Sequence, residues 1–206
     1  MLEKTSSLMI VMALPCMMTA AYVQASAPGT LDIRFDANAD TNAELIIGAY
    51  GHDPVDLITL KPVTDAGSVY IYSSASPYTL VAELNGSTRG NYFGYSVSAV
   101  DTGADGFIDV LVGSPKADIL NSITLKMMRD AGKVQVFNDT SGAALYSVDG
   151  TQAGALFGQS VSNGADIDNL GADDFVVGSP KMDITLGAVM LRDAGRVEIP
   201  SGASTN

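Results

Sequence analysis

The chain has 206 residues, a formal net charge of −12 from 23 Asp and Glu against 11 Lys and Arg, and a single cysteine. Such a surface argues against a nucleic-acid or anionic-membrane partner, both of which attract Lys and Arg, and favours a cation as the small partner. The 21 glycines, with abundant Ser, Thr, Val and Asp, fit a soluble, extracytoplasmic all-β protein.

Residues 1–27 have the layout of a secretory leader. A short MLEK start precedes an apolar stretch from Leu8 to Tyr22, and Ala25, Ser26 and Ala27 form a small-residue cleavage region. Cleavage after Ala21 or Ala25 is an alternative to Ala27. An uncleaved anchor is disfavoured, because the apolar run is shorter than the ~20 residues of a spanning helix. No later segment is apolar enough to span a bilayer, so no membrane span is expected after cleavage. Cys16 lies inside this leader, and Pro15 before it speaks against lipoprotein processing. The mature chain is therefore expected to lack disulfides and to depend on packing or bound ions.

From residue 28 onward the chain repeats with a period of 65 residues. DANADTNAE starts at Asp36, DTGADGFID at Asp101 and DIDNLGADD at Asp166, and each runs into an apolar strand: LIIGAY at 45–50, VLVGSP at 110–115 and FVVGSP at 175–180. DAGSVYIY at Asp65 and DAGKVQVF at Asp130 keep the step, while DAGRVEI at Asp193 comes two residues early. A repeat of this length is one supersecondary unit that cannot bury its own faces, so the architecture must come from stacking copies.

In the second unit, four strands are predicted in order. They are FGYSVSAV at 93–100, the β-branched VLVGS at 110–114, GKVQVF at 132–137 and ALYSVDG at 144–150. Four antiparallel strands repeated radially describe a β-propeller blade, with the most apolar strand buried on both faces. The predicted fold class is therefore all-β: about three four-stranded blades, the last incomplete, in a partial or open propeller. The third unit ends GRVEIPSGASTN where the second continues into its fourth strand. That leaves an edge open to self-association or to further blades of a longer chain.

Phe93-Gly94 followed by its acidic loop and Gly113-Ser114-Pro115, and Phe157-Gly158 followed by its loop and Gly178-Ser179-Pro180, resemble FG-GAP repeats, the blade motif of the integrin α-subunit propeller. The resemblance covers residues 28–199. It divides the chain into a leader at 1–27 and repeats at 28–92, 93–156 and 157–206. The first repeat is degenerate, with Pro28-Gly29 at the Phe-Gly position and LDIRF at 31–35 in the opposite alternation phase.

The acidic loops have a logic of their own. Calcium takes six to eight hard oxygen ligands, and a tight loop offering side chains at positions 1, 3, 5 and 9 and a backbone carbonyl at 7 can wrap one ion. In the first loop these are Asp36, Asn38, Asp40 and Glu44, with the Asn42 carbonyl. In the second they are Asp101, Asp105 and Asp109, with the Phe107 carbonyl and Gly103 in place of the third-position ligand. In the third they are Asp166, Asp168 and Asp174, with Leu170 removing the ligand at position 5. One such loop alone is better read as an Asp- and Gly-rich turn. Three in register favour Ca2+, because carboxylates packed into one turn disfavour each other's ionised forms without a cation. Magnesium, which keeps several waters, is the weaker candidate.

The sole histidine, His52, sits beside Asp53 and is expected to be a solvated loop residue. No catalytic triad or thiol nucleophile is apparent, so the chain is not expected to be an enzyme. Phe93 and Phe157 are expected between blades. The inserts before each DAG are rich in Ile, Leu and Met. By the resemblance they lie on the ligand-binding face opposite the calcium loops, with Leu57, Ile58, Ile123, Leu125, Met127, Met128, Leu186 and Leu191 forming either an apolar rim or extra hairpins packed on one another. The expected function is a secreted or cell-surface calcium-binding module for adhesion or recognition of an extracellular protein or glycan; a periplasmic location is also compatible. An accessory domain of a secreted hydrolase or lyase, and a structural cell-surface component, stay open as alternatives.

Overall fold

The computed structural model of the chain describes residues 19–20, 44–73, 78–105, 107–138 and 141–202. Among these no helix occurs, and therefore none long and apolar enough to cross a membrane. The strands are β1 (Thr19–Ala20), β2 (Glu44–Ala49), β3 (Val55–Asp56), β4 (Lys61–Pro62), β5 (Ser68–Ser73) and β6 (Leu80–Asn85) in the first unit. The second unit holds β7 (Ser96–Val100), β8 (Asp109–Ser114), β9 (Ile119–Asn121), β10 (Lys126–Met128), β11 (Lys133–Phe137) and β12 (Ala144–Asp149). The third holds β13 (Ser160–Asn163), β14 (Phe175–Ser179), β15 (Ile184–Leu186), β16 (Val189–Leu191) and β17 (Arg196–Glu198).

Each unit folds into one antiparallel blade. The sheet orders are β1-β2-β5-β6, β7-β8-β11-β12 and β13-β14-β17, so the third blade has three strands, and the described blades form an open array. Thr19 and Ala20 pair with Gly48 and Ile47 in the first blade, at the innermost position that the repeat would assign to residues 31–35. Residues 31–35, with the opposite phase of LDIRF, lie outside the described part, and residues within the expected leader hold the edge.

Burial follows from stacking. All six residues of β8 are buried because a blade covers each of its faces, whereas β14 alternates buried and half-buried residues. Between the first two blades, Ile46, Val69, Ile71 and Leu84 meet Phe93, Val97, Val110 and Val112. Between the second and third, Leu111, Val134 and Val136 meet Phe157, Phe175 and Val177. Phe93 and Phe157 are 3% and 2% exposed, between blades as expected.

The inserts form hairpins, β3-β4, β9-β10 and β15-β16, each paired only within itself. Their apolar tips are not packed on one another: Leu57, Ile58 and Ile123 are 88%, 93% and 91% exposed. The third hairpin turns through Gly187 and Ala188 alone, with Gly187 at φ 61, where the first two use four residues. The two-residue-shorter turn accounts for the early third DAG.

Candidate metal centre and recognition face

Strand direction separates two ends of the array. The second and third acidic loops join the first strand of a blade to the second, while each hairpin joins the second to the third; in an antiparallel sheet those connections lie at opposite ends. The acidic end and the hairpin end are therefore distinct faces.

At the acidic end, the position-9 acids are all buried. Glu44 is 6%, Asp109 6% and Asp174 2% exposed, each just where the second strand of its blade begins. Asp36, Asn38, Asp40 and Asn42 lie outside the described residues. In the second loop, Asp109 accepts a short hydrogen bond from the Thr102 hydroxyl, and Asp105 Oδ1 accepts the Phe107 N–H at 3.0 Å. Asp101 is half-buried, Asp105 and Phe107 exposed.

The third loop is the one that gathers three carboxylates among the described residues. One oxygen each of Asp166, Asp168 and Asp174 lies within 4.8 Å of the others. Two ligands on opposite sides of a calcium ion at ~2.3–2.6 Å would stand ~4.6–5.2 Å apart, so the donor set fits that ion in both chemistry and span. Leu170 does not keep the acids apart. Its side chain is 63% exposed, and its N–H donates to Asp166 Oδ1 and Asp168 Oδ1, both at 3.0 Å. Gly171 N–H donates to Asp166 Oδ2 at 3.0 Å, at a φ of 98 that favours glycine. Asp174 accepts from Ile167 at 2.8 Å and Asp168 at 3.2 Å on Oδ2 and from Gly202 at 3.1 Å on Oδ1. The loop is tied to its neighbour where Asp173 N–H donates to the Asp101 carbonyl at 2.8 Å.

At the hairpin end, one feature escaped the sequence reading. Asp53, Asp118 and Asp183 accept the N–H of the DAG aspartates, Asp65 at 2.8 Å, Asp130 at 3.0 Å and Asp193 at 2.9 Å. Each clamp closes the base of a hairpin across a DAG residue held at φ 52, 49 and 48. The spacing of 65 between Asp53, Asp118 and Asp183 was the available signal. His52 is half-buried rather than solvated. Its Nδ1 bonds Ser68 Oγ at 2.8 Å, and Ser68 sends its one proton to Asn85 Oδ1, so the imidazole N–H donates. Beside it, Tyr50 packs on Tyr92 and Tyr95 at centroid distances of 5.4 and 5.0 Å, and Lys116 Nζ stands 4.6 Å from the Tyr92 ring centroid.

No protein-family model matches the chain. Integrin alpha-4 of Xenopus laevis is 34% identical over 131 residues, 61% of this chain and 12% of that protein. Integrin alpha-IIb of Homo sapiens is 30% identical over 151 residues, covering 71% and 13%. Integrin alpha-PS5 of Drosophila melanogaster is 32% identical over 134 residues, covering 60% and 12%. The chain thus spans about an eighth of the length of these curated relatives.

Proposed function

Starting from a chain that belongs to the integrin-α-like FG-GAP β-propellers, we propose that it is a secreted, calcium-binding propeller module for adhesion or recognition of an extracellular protein or glycan, with no catalysis of its own. The observation that carries this reading is the pairing of two opposed ends: a carboxylate trio at one, and solvent-exposed apolar hairpin tips on an otherwise strongly acidic chain at the other. The leader at 1–27 and repeats at 28–92, 93–156 and 157–206 belong to the same proposal.

Asp166, Asp168 and Asp174 would hold the ion, and its charge would offset their mutual repulsion. The rest is done by the chain. Asp174 fixes the loop to β14 and to Gly202, the Leu170 and Gly171 amides orient Asp166, and the bond from Asp173 to Asp101 carries the order of one loop to the next blade. Blades held in fixed relation keep the hairpin tips in a fixed pattern, and a preorganised surface loses less entropy on binding. The exposed tips would supply the apolar centre of the contact.

The test is binding of the purified chain to immobilised extracellular matrix proteins and glycans with and without chelator. Saturable binding lost on chelation and weakened by Ile58→Asp with Ile123→Asp supports the reading. No saturable binding to any of them, or binding indifferent to both changes, contradicts it.

A further inference from the structure

The two ends of the array differ in charge as well as in shape. Strand pairing fixes the ends: Asn85 and Ser96, which bracket the connection between the first two blades, pair with Ser68 and Gly113 on the hairpin side. All nine Lys and Arg of the described residues, the 11 of the chain less Lys4 and Arg34, lie at that end. They stand on the hairpins, in the connections beside them, or at the first residue of a strand that leaves that end. The acidic loops hold none. They carry three carboxylates in residues 101–109 and four in residues 164–174, with Glu44 at the start of β2. Large apolar side chains are exposed at both ends, and at the acidic one they are Phe107, Ile167 and Leu170.

The hairpin end has acids too, but they are engaged at its base. Asp53, Asp118 and Asp183 sit there with the DAG aspartates whose N–H groups they accept, and Asp149 pairs with Lys133 at 3.1 Å. Asp56 is the one acid within the strands and turns of the hairpins, and it caps its own turn, accepting the N–H of Ile58 at 2.8 Å and of Thr59 at 2.6 Å. Lys61, Lys126, Arg129 and Arg192, on or next to the hairpins, are exposed and enter no ion pair among the described residues. One end is therefore aliphatic and cationic at its tips, and the other is apolar and anionic.

We propose that the protein partner of the hairpin end is a second copy of this chain, which enters with its acidic end. This names a partner for the recognition face proposed above and rests on that reading. The aliphatic tips meet Phe107, Ile167 and Leu170 of the second copy, and the four unpaired cations face the carboxylates of its loops. Two hairpin ends, or two acidic ends, would oppose like charges, which disfavours a symmetric pair. A calcium ion in each of these loops still leaves the acidic end negative, because each loop carries at least three carboxylates against two positive charges. A contact between unlike ends does not complete itself in a pair, so copies add one after another.

The test is sedimentation velocity of the purified chain in millimolar calcium, over a concentration series up to about 1 mM. Sedimentation is expected to rise with concentration past that of a dimer. Ile58→Asp with Ile123→Asp blocks one end and Phe107→Lys with Ile167→Lys the other, at four exposed side chains whose replacement should leave the melt in place. Each variant alone should stay a monomer. Their equimolar mixture should form a dimer and nothing larger, since each keeps the end that the other lacks. Lys126→Glu by itself should weaken the association of the otherwise unchanged chain at least about threefold. A chain that is monomeric throughout, a double variant that associates as the parent does, or a mixture that stays monomeric overturns the proposal. Saturable binding to a matrix protein by a chain that remains a monomer overturns it as well, and leaves the adhesion reading standing.

Discussion

Gly132 lies directly against the backbone of Phe157, joined to it as a parallel bridge, so that no side chain larger than hydrogen fits between the second and third blades. Gly195 has the same place in the third blade and a similar backbone, φ 76 against φ 90, but no strand across from it among the described residues. The pair separates two costs that usually come together. Gly195→Ala should cost mainly the left-handed backbone strain, about 1–2 kcal/mol, with a tight 3.2 Å approach of the new Cβ to the Pro180 carbonyl beside it. Gly132→Ala should add the overpacking of the interface, about 1–3 kcal/mol more. Denaturant titration of both variants checks the difference, and equal losses would show that the bridge contributes nothing.

Val134 and Val197 offer the apolar version of the same comparison. Each pairs with the glycine of its blade's second strand, Gly113 or Gly178, yet one is fully buried and the other 67% exposed. Val134→Ala should destabilise by about 1.5–2 kcal/mol from lost burial, and Val197→Ala by less than about 0.5 kcal/mol. Phe157→Ala, which empties a site 2% exposed, should cost about 3–5 kcal/mol.

The hairpin clamps predict a local effect. Asp118→Ala removes the acceptor of the Asp130 N–H, a bond contributing about 1 kcal/mol, and releases a residue held at φ 49. Hydrogen exchange at Asp130 should accelerate about fivefold or more, while amides of β8 and β11 keep their protection. Equal acceleration throughout the blade would mean that the clamp supports the sheet and not the hairpin.

Alkaline stability should report on Tyr146. Its hydroxyl is pushed up to about 12, first by burial and then by the negative charge of Asp109, with Asp174 adding to it. An unfolded tyrosine loses its proton near 10, whereas the native one keeps it, so deprotonation favours unfolding between those values. This contribution is complete below pH 10 and lost as pH rises through about 12. Tyr146→Phe should flatten the fall in melting temperature over that window; an unchanged fall would assign it to other groups.

Much of this was legible in the sequence because stacking forces repetition. Alternation and β-branched runs within the second unit located β8, β11 and β12 to within a residue, and the apolar run at 110–114 foretold a strand buried on both faces. The clamp aspartates were as regular but went unread, since their partners are backbone amides ten or twelve residues away that only the closed hairpin base brings near. Leu170 supplies no side-chain ligand at position 5, as its type implies; what a side-chain inventory could not register is that its backbone N–H donates to both Asp166 and Asp168. His52 lies in a loop as expected, but it is half-buried, because Ser68 and Asn85, on paired strands, place a hydrogen-bond chain beside it.

Calcium added to the purified chain, followed by calorimetric titration and thermal melting, tests the central claim most directly. Binding to the folded form alone stabilises it by about 2.7 kcal/mol per site at a hundredfold excess over Kd, which for a chain of this size raises the melting temperature by roughly 5–10 °C. The account predicts that rise, its loss in chelator, and its reduction in Asp166→Asn and Asp168→Asn, whose carboxylates lie within 4.8 Å of Asp174. No binding heat at millimolar calcium, together with a melt unchanged by chelator, would contradict it.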